Sequence, residues 1–311
     1  MIIDFWGVRG SIPTPLTDQQ IKSKIQAVVQ RISPKDLVSQ DARQAFLDKL
    51  PNWVNGTIGG NTSCVHLKNK NGTNFILDAG SGLRGLGKKL VKNKENKFHI
   101  FFSHFHWDHI QGLPFFDPIF NPNAEIHFYS PKENLQTLLE DQSESPYFPV
   151  SMRAMTKKNM YFHILKEDSL EIDGTKISLK KMFHPGDSYS YSFEEDGKKF
   201  VYATDVELNE LHINSQENQK FFLNSDVLIL DSQYTDLEAL EKANWGHSSF
   251  SYGIEFAISC KVKKLFFFHH EPMYDDKKLY TILQNAKMYA EYVDSNRLQI
   301  YLAKEGLSVK I

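Results

Sequence analysis

Three histidines and an aspartate fall within six residues, His104-Phe105-His106-Trp107-Asp108-His109. Neutral imidazole and carboxylate are the donors that borderline divalent metals prefer. One histidine near a surface needs no special reading. Four donor groups at HxHxDH spacing, directly after an apolar run, point to a metal site. On an extended backbone His104 and His106 point the same way. A turn after them brings Asp108 and His109 round to a second, adjacent position.

Something rigid must mount these donors. His99-Ile100-Phe101-Phe102 has the length and aromatic content of a buried strand. Ile110-Gln111-Gly112-Leu113-Pro114 reads as one helical turn and then a break, which puts the donors on the loop leaving the strand. Trp107 is expected to pack rather than to stack on a substrate. Further donors follow other predicted strands: His184 after Lys176–Met182, Asp205 after Phe200–Thr204, and His269 after Leu265–Phe268. His270 rivals His269, and strand alternation does not choose between them. Asp78 closes the strand Phe75–Leu77, and Asp231 follows Val227–Leu230. His247 lies in Trp245-Gly246-His247-Ser248-Ser249, ahead of the helical run Phe250–Ser259.

The rest of the chain alternates strands and helices. Ile2–Val8 begins it as a strand, and Gly7-Val8-Arg9-Gly10-Ser11 turns it sharply. Asp18 is expected to cap a helix carrying Ile21, Ile25, Val28, Val29 and Ile32. A second helix runs from Pro34 to Leu50. Tyr147–Tyr161 is expected to be a loop or lid. Two β-then-α halves suit one sandwich of two sheets, a single domain over 1–311 with a helical insertion at 17–53.

HxHxDH, together with Gly7-Val8-Arg9-Gly10-Ser11, Gly59-Gly60-Asn61-Thr62-Ser63-Cys64 and Gly246-His247-Ser248, resembles the metallo-β-lactamase superfamily. The resemblance extends to its phosphodiesterase branch, which holds tRNase Z and bacterial cyclic-nucleotide phosphodiesterases. The resemblance implies an α/β fold, an αβ/βα four-layer sandwich, with a two-metal hydrolytic site. It implies His104, His106 and His184 on one ion, Asp108, His109 and His269 on the other, and Asp205 bridging. Zinc is the first expectation for these two divalent ions, with manganese or iron as alternatives. It implies His247 as proton donor to the leaving group, supported by Asp231 where the tRNA-processing enzymes usually carry glutamate, with Asp108 also counted as catalytic. Asp78 is expected to orient a ligating histidine, and Asn61 and Arg9 to reach the substrate or the rim.

The 311 residues are 41% hydrophobic and 13% aromatic, which excludes disorder. A formal charge of −2 gives no general attraction to nucleic acid or anionic membrane. Cys64 and Cys260 are expected as buried thiols rather than a disulfide. No signal-peptide pattern or apolar span is visible, so a cytoplasmic protein without a membrane partner is expected. The tRNA-processing relatives carry a long arm between the third ligand motif and the bridging aspartate. Here a hairpin separates His184 from Asp205, so a small-molecule phosphodiester is expected and a folded tRNA is not. A cyclic nucleotide such as cAMP or cGMP is the first candidate. An ester, lactone or thioester hydrolase and a non-catalytic sensor are the alternatives, and the branch resemblance allows a homodimer.

Overall fold

The computed structural model describes residues 1–155, 159–294 and 298–311. Among these, fourteen strands form two seven-stranded sheets. β1 (Ile2–Gly7), β2 (Cys64–Lys68), β3 (Asn74–Leu77), β4 (Lys97–Phe101), β5 (Glu125–Ser130) and β6 (Met160–Ile164) lie side by side in the first. β7 (Ser169–Ile172), β8 (Thr175–Met182), β9 (Ser188–Glu195), β10 (Lys198–Ala203), β11 (Val227–Asp231), β12 (Lys264–Phe268) and β13 (Gln299–Leu302) make the second. β14 (Ser308–Lys310) returns to the first sheet beside β1. Helices cover the outer faces, so the fold is the expected α/β sandwich.

Side-chain alternation explains the layers. Along β4 and just beyond it, Phe98, Ile100 and Phe102 pack against the helix Leu83–Lys92 through its buried Leu83, Leu86 and Leu90. Phe101 points the other way, between the sheets. There Phe5, Phe75, Phe101 and Tyr129 meet Phe193, Phe200, Tyr202, Phe266 and Phe268. The rings of Phe101 and Phe193 lie 5.7 Å apart edge-on, and Phe5 and Phe266 lie 5.5 Å apart. Each such fully buried ring contributes about 1.5–3 kcal/mol of transfer free energy. Ile254, Ala257, Leu279 and Ala286 bring the helices Phe250–Ser259 and Asp276–Asp294 onto this core.

Strand direction gathers the chemistry. β3, β4, β5 and β6 run parallel, as do β10, β11, β12 and β13. β9 is antiparallel to both β8 and β10, so β8 runs with β10. The carboxyl ends of β3, β4, β8, β10, β11 and β12 therefore open on one rim of the sandwich, where α/β sheets present their sites.

Several expectations change. The helical turn after β4 is Trp107–Ile110, not Ile110–Pro114, so Asp108 and His109 sit on a helix that starts inside the motif. A 3-10 turn, Leu113–Phe115, follows. Thr17, not Asp18, caps the first helix, Asp18–Val29: its hydroxyl accepts from the Gln20 amide while the Gln20 side chain accepts from the Thr17 amide. The predicted helix 34–50 is a 3-10 turn, Pro34–Asp36, and then Gln40–Lys49, which restarts because the Ser39 hydroxyl caps it. Tyr147–Tyr161 contains the helix Met152–Met155 and the start of β6, and residues 156–158 of that expectation lie outside the described residues. Lys24 fastens the 17–53 segment to the body, reaching the carbonyls of Trp53 and Gly56 and pairing with Asp276 at 2.6 Å.

Candidate metal centre

Each strand end delivers its side chain by an abrupt turn. Asp78, Asp205 and His269 have φ of 58°, 50° and 58°, the left-handed region that non-glycine residues seldom enter. Such strain concentrates at functional sites. The αL turn at His269 aims its imidazole into the rim, whereas His270 is turned away and its Nε2 donates to the Ala303 carbonyl at 2.9 Å. That settles the rivalry between the two for a place at the rim.

The gathered donors form two clusters, and a third, overlapping group joins Asp205 and His269 to His247. One nitrogen or oxygen from each of His104, His106, His184 and Asp205 lies within 4.8 Å of the others, and so do those of Asp108, His109 and His269. Asp205 stands between the clusters. Its Oδ2 is 3.5 Å from His104 Nε2 and 3.7 Å from His184 Nε2, and its Oδ1 is 3.1 Å from His109 Nε2 and 3.2 Å from His269 Nε2. Asp108 Oδ2 lies 3.2 Å from His109 Nε2 and 3.1 Å from His269 Nε2, and it accepts the Ser11 amide at 2.8 Å.

The imidazoles are held from behind. His109 Nδ1 donates to Asp78 Oδ2 at 2.8 Å, and Asp78 is itself fixed by the Ser103 amide and hydroxyl and the Tyr202 hydroxyl. His184 Nδ1 donates to the Gly246 carbonyl at 2.8 Å, and His269 Nδ1 donates to Gln233 Oε1 at 3.0 Å. Gln233 Nε2 donates to Glu271, which fixes which end of the amide faces the histidine. These partners only accept, so each Nδ1 carries a proton and each Nε2 faces inward.

Such an arrangement suits cations. The Nε2 atoms of His109 and His269 lie 3.3 Å apart, and His104 Nε2 is buried with no hydrogen-bond partner. Burial and the neighbouring imidazoles hold the His104 pKa well down, which keeps its donor pair free. Burial also disfavours charge on Asp205, yet the surrounding histidines outweigh it and keep the carboxylate ionised. Ligand-type groups with this chemistry, buried except for His106, fit divalent metal ions, which the fold implies.

His247 stands beside the clusters. Its Nδ1 is 2.7 Å from Asp231 Oδ2, and Asp231 Oδ1 accepts the Gln233 and Ser248 amides. Burial lowers the His247 pKa, but the Asp231 charge prevails and pushes it up to about 9. Glu207 ties down this loop by accepting from the amides of Asn244 and Gly246. Gly246 has φ of 91°, and a Cβ there would collide with Nδ1 of His184. A cavity of about 420 Å³ opens over the site, lined by Ser11, Phe105, His106, Trp107, Asp108, Asp205, His247 and His269.

Three expectations are corrected. Arg9 does not reach the cavity: it is 3% exposed, and its guanidinium donates to the carbonyls of Gly59, Glu271 and Tyr274, joining the chain's beginning to its end. The Asn61 side chain is engaged by Glu305 and Ser81, 2.9 and 3.1 Å away, away from the substrate space. Trp107 does not pack, being 83% exposed. Sequence reasoning missed Gln233, Ser103, Tyr202, Ser11 and Glu207. Only Ser103, adjacent to the motif, and Ser11, closing the Gly7–Ser11 turn, carried a local signal.

Residues 73–270 match the family described as a beta-lactamase superfamily domain. A Ribonuclease Z of Picrophilus torridus is 26% identical over 284 residues, covering 76% of this chain and 89% of its own. Two solved structures share the fold over essentially the whole chain. One is a diphosphatase of the PhnP family, 17% identical with a TM-score of 0.62, covering 100% of this chain and 97% of its own. The other is the short form of human tRNase Z, 18% identical with a TM-score of 0.58, covering 100% and 99%.

Proposed function

This chain belongs to the metallo-β-lactamase superfamily, in its phosphodiesterase branch, and on that premise we propose a two-metal phosphodiesterase acting on a small phosphodiester. The class is a metal-dependent hydrolase of phosphodiester bonds. A cyclic nucleotide such as cAMP or cGMP is the first substrate to test. His247 carries the reading: a half-buried imidazole, held 2.7 Å from Asp231, lines the same cavity as His106 and Asp205 of one donor cluster and Asp108 and His269 of the other.

In this reading His104, His106 and His184 hold one divalent ion and Asp108, His109 and His269 the other, with Asp205 serving both. Zinc is the first choice, and manganese or iron the alternatives. When bound, two such ions acidify a water and neutralise charge developing on the phosphoryl oxygens. The protein's own groups do the rest. Asp78 and Gln233 fix the tautomers of His109 and His269, and Asp231 keeps His247 protonated and aimed. His247 then gives its proton to the departing alkoxide, the step for which a general acid is worth most. Residues 1–311 act as one domain here, with 17–53 inserted.

β9 and β10 form a plain hairpin across the turn Asp196-Gly197, so nothing between His184 and Asp205 extends to grip a folded RNA. A short RNA end is the second reading, favoured by the 26% likeness to Ribonuclease Z. Purified protein should cleave bis-p-nitrophenyl phosphate faster than p-nitrophenyl phosphate, and a panel of cyclic nucleotides and short oligoribonucleotides should then rank the substrates. Lactone or thioester turnover without diester turnover overturns the proposal.

A further inference from the structure

Trp107 is the one side chain of the HxHxDH stretch that neither faces the donor clusters nor enters the core. It is the first residue of the helix Trp107–Ile110, between His106 and Asp108, and it lines the cavity while remaining 83% exposed. Its neighbour Phe105 also lines the cavity but is anchored, its ring stacked on Phe102 at 5.4 Å and 25°. The indole has no such anchor. A large apolar face left bare at the open edge of a concave polar site offers a ligand a contact surface.

The rest of the lining narrows what that ligand is. Ser11, His106, Asp108, Asp205, His247 and His269 supply the polar wall, and neither lysine nor arginine is among the lining residues. A second phosphate or a carboxylate on the substrate would find no lysine or arginine there, and His247 is already assigned to the leaving group. Binding energy beyond the reacting phosphate must come from the aromatic side of the cavity.

We propose that Trp107 is a stacking platform for a nucleobase, so that the site selects diesters in which the phosphate carries a nucleoside. This rests on the phosphodiesterase reading and sharpens its substrate class. Base–aromatic stacking tolerates any base, because every base has a π-face. The platform therefore favours nucleosides over alkyl groups without choosing strongly among bases.

The test compares two esters with the same leaving group, thymidine 5′-(p-nitrophenyl phosphate) and methyl p-nitrophenyl phosphate, on the full chain loaded with metal. Trp107→Ala should lower the ratio of their kcat/KM values about ten- to hundredfold, mainly through KM for the nucleoside ester, and Trp107→Phe should restore most of it. An unchanged ratio overturns the platform. So does an equal loss on both esters accompanied by loss of metal, which would make Trp107 a scaffold residue. Wild-type protein that cleaves neither ester overturns the phosphodiesterase reading instead. The platform is then judged by fluorescence: thymidine monophosphate should quench wild type more than Trp107→Phe, and equal quenching overturns it.

Discussion

Replacing His247 with alanine removes the proposed proton donor while leaving both donor clusters intact. The imidazole is held by a 2.7 Å contact to Asp231, and Asp231 is fully buried and receives two backbone amides on its other oxygen. A general acid so fixed is worth about 10²–10⁴ in rate, or about 3–5 kcal/mol of barrier. Asp231→Asn should come within about tenfold of the same loss. The Gln233 and Ser248 amides would hold its carbonyl oxygen and leave its NH2 against His247 Nδ1. That forces the neutral tautomer, a feeble acid. The assay compares a nucleoside alkoxide leaving group with p-nitrophenolate, which departs without a proton. Both variants should lose most of their activity on the first and little on the second, with metal content near wild type. Equal losses on the two substrates, or loss of metal, would refute the assignment.

Gln233→Leu frees the His269 tautomer and should weaken metal binding about 10- to 100-fold, read by competition with a chelating dye. Phe101→Ala removes a fully buried ring stacked on Tyr129 at 4.4 Å and should cost about 3–5 kcal/mol in urea unfolding, with the m-value unchanged. His99 lies between the sheets, its Nδ1 2.9 Å from the Tyr129 hydroxyl, and burial followed by the His127 and Lys97 charges lowers its pKa to about 4. The unfolded chain therefore takes up this proton first as pH falls below about 6.5. Stability should drop by up to about 3 kcal/mol between there and pH 4 from this residue, and His99→Phe should flatten that part of the pH–stability curve.

The donors were legible because ligand chemistry fixes residue types and because each donor follows an apolar run that sequence pattern reveals. Asp78 behind His109, one of these donors, was legible for the same reason. The choice of His269 over His270 was not, since the αL turn at 269 breaks the alternation that a strand would impose. Arg9 misled because its partners, the carbonyls of Gly59, Glu271 and Tyr274, are distant in sequence and nothing local marks them. Trp107 misled because burial is a property of the assembled rim, and an aromatic residue in a motif carries the same letter whether covered or bare. The stripe Ile21, Ile25 and Val29 predicted its helix correctly but not its facing. Those side chains are 46, 57 and 66% exposed, while Ala27 turns inward with Leu50 and Val54. Gln233 and Glu207 have ordinary loop contexts, and only the folded chain brings them to His269 and Gly246.

The central claim is that two divalent ions on these donors make the chain a phosphodiesterase. The most direct test strips the protein with a chelator and follows bis-p-nitrophenyl phosphate hydrolysis as zinc or manganese is added back in counted equivalents. The account predicts no turnover in the stripped protein and a rise that levels off at two equivalents per chain. Turnover that is indifferent to added metal, or none at any metal content, would contradict it.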